Sequence, residues 1–231
     1  MNLPTLLILL LAFSSLTHLN AEELLQADIN NGQRIYRNCS ICHQPEGWGS
    51  KDGLFPQIAG QHLSVIIKQL EDIRSHKRNN KIMDRFSAEA ELQGAQDILD
   101  VASYITNLPM TQAGGKGGGK QLKHGDEIYR LHCLVCHGRF AEGDAEKKIP
   151  LLAGQHFLYL KQQFEAIRTG KRGNGDPEMI RRTRDISMES TEAVLDYISR
   201  LPPPKEKIAP SGWKNQDQTD YTKDLTPGLQ F

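Results

Sequence analysis

The chain has 231 residues, of which 38% are hydrophobic and 6% aromatic, and its 28 basic and 28 acidic side chains cancel. This length admits one or two domains, and two domains this poor in apolar residues would each sit near the size at which a side-chain core alone is marginal. Zero net charge argues against a nucleic-acid binder and against a polybasic membrane patch. The balance is local, however: residues 22–110 hold 9 basic and 12 acidic side chains (net −3), and residues 111–201 hold 15 and 12 (net +3).

Residues 1–21, MNLPTLLILLLAFSSLTHLNA, contain no Asp, Glu, Lys or Arg and carry a leucine-rich run too short to span a bilayer comfortably. This reads as a secretory signal peptide ending at Ala21, which makes the expected protein exported. If retained, the same segment would hold it at the membrane surface. Export favours disulfides, yet all four cysteines stand in C-x-x-C-H motifs, at Cys39, Cys42 and His43 and at Cys133, Cys136 and His137.

Beyond the signal, the expected organisation is an all-α first domain over 22–110, a flexible Gly-rich linker over 111–121, a second all-α domain over 122–203 and an irregular polar tail over 204–231. In the first domain, Gly32 to Asn38 reads as the end of a helix, Gln61 to Ser75 as a middle helix and Ala95 to Asn107 as a last helix. Their counterparts in the second are Asp126 to His132, Gln155 to Thr169 and Thr191 to Arg200. The linker TQAGGKGGGKQ holds no pattern for a packed element.

The two domains are one sequence written twice. At an offset of 94, His43 falls on His137, Pro56 on Pro150 and IAGQH (58–62) on LAGQH (152–156). At an offset of 93, Gly32, Ile35 and Tyr36 fall on Gly125, Ile128 and Tyr129, and SYITNLP (103–109) falls on DYISRLP (196–202).

C-x-x-C-H is the attachment signature of c-type haem, in which two thiols add across the vinyl groups and the adjacent histidine reaches the iron. A zinc site would want the two cysteine pairs about 15–20 residues apart, whereas here each pair belongs to its own repeat. Two covalent haem c groups are therefore expected, and the porphyrins would supply the core that the composition lacks.

CSICH and CLVCH, the P-x-(I/L)-A-G-Q segments and the last helices bearing Tyr104 and Tyr197 resemble the di-haem cytochrome c4 family of class I cytochromes c, over roughly residues 25–202. The resemblance implies two tandem cytochrome c domains related by a pseudo-two-fold axis. It implies His43 and His137 as axial iron ligands, with Pro56 and Pro150 accepting a hydrogen bond from them. For the sixth ligand it implies Met179, seven residues before Ile186-Ser187, with Met188 as a rival. In the first copy it implies Met83, although Met83 stands 21 residues from Tyr104 where Met179 stands 18 from Tyr197. The competing ligands are His62 and His156, which follow Gly-Gln at a helix start and are otherwise expected on the surface. Arg74, Arg168, Lys77 and Lys171 are expected near haem propionates or as solvated helix ends.

A haem with both axial positions filled has no vacancy for substrate, so the expected function is electron transfer. The resemblance implies redox partners: a quinol-oxidising respiratory complex as donor and a terminal oxidase as acceptor. The alternatives are a di-haem enzyme, such as a peroxidase or thiosulfate-oxidising cytochrome, and the cytochrome subunit of a flavocytochrome-like dehydrogenase.

Overall fold

A computed structural model of the chain describes residues 25–218, so the expected signal at 1–21 lies outside the described residues. The first copy folds as α1 (Ile29–His43), α2 (Leu63–Arg74), α3 (Lys81–Ser87) and α4 (Gly94–Asn107). The second folds as α5 (Leu122–His132), α6 (Leu134–His137), α7 (Phe157–Arg168), α8 (Pro177–Thr183) and α9 (Met188–Arg200). Among the described residues there are no strands, only two isolated bridges, Met110 with Ile208 and Asp144 with Ile149.

Each copy is built on the crossing of its first and last helices. A Cβ on Gly32 would lie 2.2 Å from the Asp100 carbonyl oxygen, and one on Gly125 would lie 2.2 Å from that of Ala193, so only glycine lets α1 meet α4 and α5 meet α9. Tyrosines pack across these crossings, Tyr36 against Tyr104 at 5.2 Å and Tyr129 against Tyr197 at 5.7 Å between ring centroids, with their planes tilted. Two separate apolar clusters follow, one around Tyr36, Val101 and Ile105, the other around Tyr129, Val194 and Ile198.

Several expectations are corrected. The two copies differ by one residue between the tyrosine and the first cysteine; α1 runs unbroken through its C-x-x-C-H, while the counterpart is interrupted at Cys133 into α5 and α6. The linker is not a free tether. Gly115 N–H donates to His156 Nδ1 and its carbonyl accepts from Phe157 N–H, and Gly119 N–H donates to Asp196 Oδ2; a sequence with few side chains lies close against backbone and is held by its own amides. The tail, expected to be irregular, returns from the second copy to the first. Met110 exchanges backbone hydrogen bonds with Lys207 and Ala209, Trp213 packs on Trp48 at 5.9 Å, and Asn215 and Gln218 are buried.

Candidate functional site

In each copy, the loop after the motif histidine is tied back to that histidine twice. Gly49 N–H donates to the His43 carbonyl at 3.0 Å and Gly143 N–H to that of His137 at 2.9 Å. His43 Nδ1–H donates to the Pro56 carbonyl at 3.0 Å and His137 Nδ1–H to that of Pro150 at 3.3 Å. A carbonyl only accepts, so the proton sits on Nδ1 and Nε2 keeps its lone pair for a metal. Both imidazoles are buried, and burial holds both below the usual histidine range, in the neutral form a ligand needs. Gly49 and Gly143 are functional positions that motif reading missed. Both stand six residues after the histidine with φ of +67° and +73°, and a Cβ at either would fall within 2.6 Å of the carbonyl of Pro56 or Pro150.

The thiols fit thioether attachment better than redox or zinc chemistry. Burial pushes Cys39 and Cys133 up to about 12, whereas a redox dithiol or zinc thiolate requires the opposite shift. None of the four cysteines is in a disulfide. Among the described residues, no group of three or more His, Cys, Asp or Glu side chains gathers to hold a metal ion. In each motif the helical backbone carries both sulfurs and the histidine to one side, since positions three and four apart share a helix face.

The two methionines, unequally spaced in sequence, occupy the same place in the fold. Met83 is the third residue of α3 and its N–H donates to the side chain of Asn80, the N-cap. Met179 is the third residue of α8 and its N–H donates to Asp176, the N-cap there. These two short helices have no counterpart in the sequence reading. The copies differ in length on both sides of these helices: the second copy has two more residues before α8, and the first has two more after α3. Arg74 and Arg168 are part-buried and not solvated helix ends: they fix the following loops by donating to the Leu92 and Ile186 carbonyls.

The copies meet through reciprocal hydrogen bonds that a two-fold rotation interchanges. The Gln61 amide brackets Leu151, accepting from its N–H and donating to its carbonyl, both at 2.9 Å. The Gln155 amide does the same to Gln57, the position matching Leu151, at 3.0 and 2.9 Å. His62 Nε2 meets the Glu142 carbonyl at 2.8 Å, and His156 Nε2 meets that of Trp48 at 2.7 Å. Arg78 and Arg172 each bond both Gln69 and Gln163, and burial beside Arg78 lowers Arg172 to about 10.

The family model for cytochrome c matches residues 29–109, and the model for cytochrome c oxidase, cbb3-type, subunit III matches residues 120–198. The chain is 30% identical to cytochrome c4 of Thiocapsa roseopersicina over 173 residues, covering 71% of this chain and 86% of that protein. The chain belongs to the cytochrome c4 family. It is also 29% identical to the thiosulfate dehydrogenase electron acceptor of Stutzerimonas stutzeri (strain A1501), over 77% of this chain and 89% of that one. The crystal structure of reduced recombinant cytochrome c4 from Pseudomonas stutzeri superposes with a TM-score of 0.66 at 27% identity, covering 76% of this chain and all of the other.

As a cytochrome c4, the protein is a di-haem electron carrier with two covalently bound haem c groups, at Cys39 and Cys42 and at Cys133 and Cys136. Its AGQH segments, which looked like solvated helix starts, are the contact between the two domains. His62 and His156 are corrected accordingly: their Nε2 atoms are spent on carbonyls of the opposite copy, and His156 is 2% exposed. Their partners come from the other repeat, which is why nothing near them in sequence announced the role.

Proposed function

We propose that this cytochrome carries electrons through the periplasm from a quinol-oxidising complex towards a terminal oxidase, with His43 and Met83 as axial ligands in the first copy and His137 and Met179 in the second. The observation that carries this reading is the equivalence of the two copies: each has a buried imidazole fixed through Nδ1 by a proline carbonyl and, further along the chain, a methionine at the third position of an N-capped turn. Bound in each copy, haem c supplies a one-electron ferric/ferrous couple. The Pro56 and Pro150 carbonyls orient the histidines and raise their basicity. With methionine as the second donor the haem would have a higher potential, and with a histidine and a methionine both holding the iron there would be no vacancy for substrate, so the protein would serve as a carrier.

The reciprocal Gln and His contacts hold the copies in one relative position, which suits electron passage between them. The net charges of −3 and +3 on the two halves suit different partners at the two ends. The signal-like segment at 1–21 supports export, and no described helix is long and apolar enough to cross a membrane. A second reading, that the protein accepts electrons from a thiosulfate dehydrogenase, is favoured by the similarity to the acceptor of that name.

The test is the weak methionine-to-iron absorption band of the oxidised protein near the red end of the spectrum. Met83→Ala and Met179→Ala should each remove about half of it, and the native reduced protein should not bind carbon monoxide. Retention of the full band in either variant, or carbon monoxide binding without denaturant, would refute the ligand assignment and favour an enzyme.

A further inference from the structure

The tail breaks the pseudo-symmetry of the molecule. On the first copy, it lies in the outer groove of the α1–α4 crossing. Tyr104 OH meets Asn215 at 3.0 Å and Asp217 Oδ2 at 3.1 Å, and Gln218 Nε2 donates to the Gln33 carbonyl at 3.3 Å. Asn215 continues to the Pro45 carbonyl at 2.6 Å, and Lys214 pairs with Glu46 at 3.5 Å. The tail thus reads the groove with amides and one carboxylate, and it anchors with Trp213.

The second copy has the same groove at the α5–α9 crossing, where it is an open cleft of about 510 Å³ lined by Leu122, Lys123, Arg130, Tyr197, Arg200 and also Asp126. Tyr197 and Asp126 are the counterparts of Tyr104 and Gln33. The charges facing the cleft are three cations and one carboxylate. Asp126 pairs with Arg130 at 3.0 Å, and Arg200 pairs with Asp196 at 2.8 Å, while Lys123 has no ion-pair partner among the described residues. The balance is positive where the first copy's counterpart positions include the neutral Asn30 for Lys123 and Asn107 for Arg200. None of the four cysteines or two motif histidines lines this cleft, so it is separate from haem attachment.

We propose that this cleft is a docking site for an extended acidic peptide segment of another protein, bound as the tail is bound on the first copy. The occupant lays a backbone across the helix crossing, sets a side-chain amide on Tyr197, whose hydroxyl donates to Asp126 and is left to accept, as Asn215 does on Tyr104, and offers a carboxylate to Lys123. The first copy is closed to such a partner because its groove is already filled, so the molecule engages at one end only.

The test uses the full-length di-haem protein and two synthetic hexapeptides, one with the tail's sequence over residues 213–218 and one with glutamate in place of its lysine. Calorimetry should show one saturable site per chain, tighter for the acidic peptide and weakened by added salt. Lys123→Glu should weaken binding at least fivefold, while Asn30→Glu, the same change at the first copy's counterpart, should leave it unchanged. Absence of saturation at millimolar peptide, indifference to Lys123→Glu, or sensitivity to Asn30→Glu instead would overturn the assignment. So would a reversible dimer in sedimentation that Lys123→Glu abolishes, because the occupant would then be a second copy. None of these outcomes touches the axial ligands, whose test is optical.

Discussion

Truncating Gln155 to Ala should uncouple the two haem domains. Its amide oxygen accepts from Gln57 N–H and His156 N–H, at 3.0 and 3.1 Å, and its amide nitrogen donates to the Gln57 carbonyl at 2.9 Å. All three residues are nearly sealed from solvent: Gln57 is 3%, Gln155 8% and His156 2% exposed. Each backbone group left without a partner costs about 1–3 kcal/mol. Taking the low end, because the vacated space is polar and admits some water, the three sum to about 3 kcal/mol. At about 1.4 kcal/mol per tenfold, the interface should open more than a hundredfold more often. Guanidinium unfolding of the holoprotein, followed separately by haem absorbance and far-ultraviolet dichroism, should change from one transition towards two as the copies separate. Gln61→Ala is the internal control. It removes the symmetric contacts, but Gln61 is only half-buried, so water replaces them more easily and the loss should be smaller. A loss below about 1 kcal/mol for Gln155→Ala, or one no larger than for Gln61→Ala, would refute the reasoning from buried unpaired groups.

Two further outcomes concern the same architecture. His156 accepts from Gly115 N–H at Nδ1 and donates from Nε2 to Trp48, so only the neutral ring fits. Burial, the largest cause, lowers its folded pKa, so its contribution should be complete above the unfolded value of about 6.5 and be lost as pH falls towards and through the folded value; urea midpoints measured from pH 7 to 5 should fall less steeply in His156→Gln, and equal slopes would count against this linkage. Gly32→Ala or Gly125→Ala gains about 1 kcal/mol of helix propensity. The new Cβ, however, meets a carbonyl oxygen at 2.2 Å that belongs to backbone and cannot swing aside, so a net loss of about 2 kcal/mol or more is expected from overpacking; a neutral or raised melting temperature would contradict the close crossing.

The attachment chemistry was legible in the sequence because it is local. A covalent haem needs two thiols and a histidine at fixed spacing along one helical turn, so Cys39, Cys42, His43 and their counterparts could be read directly, whereas Gly32 and Gly125 are in sequence only a repeated glycine until the helices cross. The methionines were legible only in part. Length differences between the copies fall in the loops beside Met83 and Met179, so counting from Tyr104 and Tyr197 gives different registers, whereas the N-caps Asn80 and Asp176 place both at the same position.

The sequence by itself determined the number of domains, through the match of the chain to itself at an offset of 93–94, and the all-α class and the four cysteines that carry the haems, through periodicity and short-range spacing. Tertiary structure alone decided what surrounds them. Gln61, His62, Gln155 and His156 are polar residues at helix starts until the other copy brings a carbonyl or amide within reach. The Gly-rich linker and the tail look free until Asp196, His156 and Tyr104 supply partners 41 to 113 residues away. A hydrogen bond between distant segments leaves no period or spacing in the chain, so only the folded arrangement reveals that the two domains are clasped and that one of their two outer grooves is already filled.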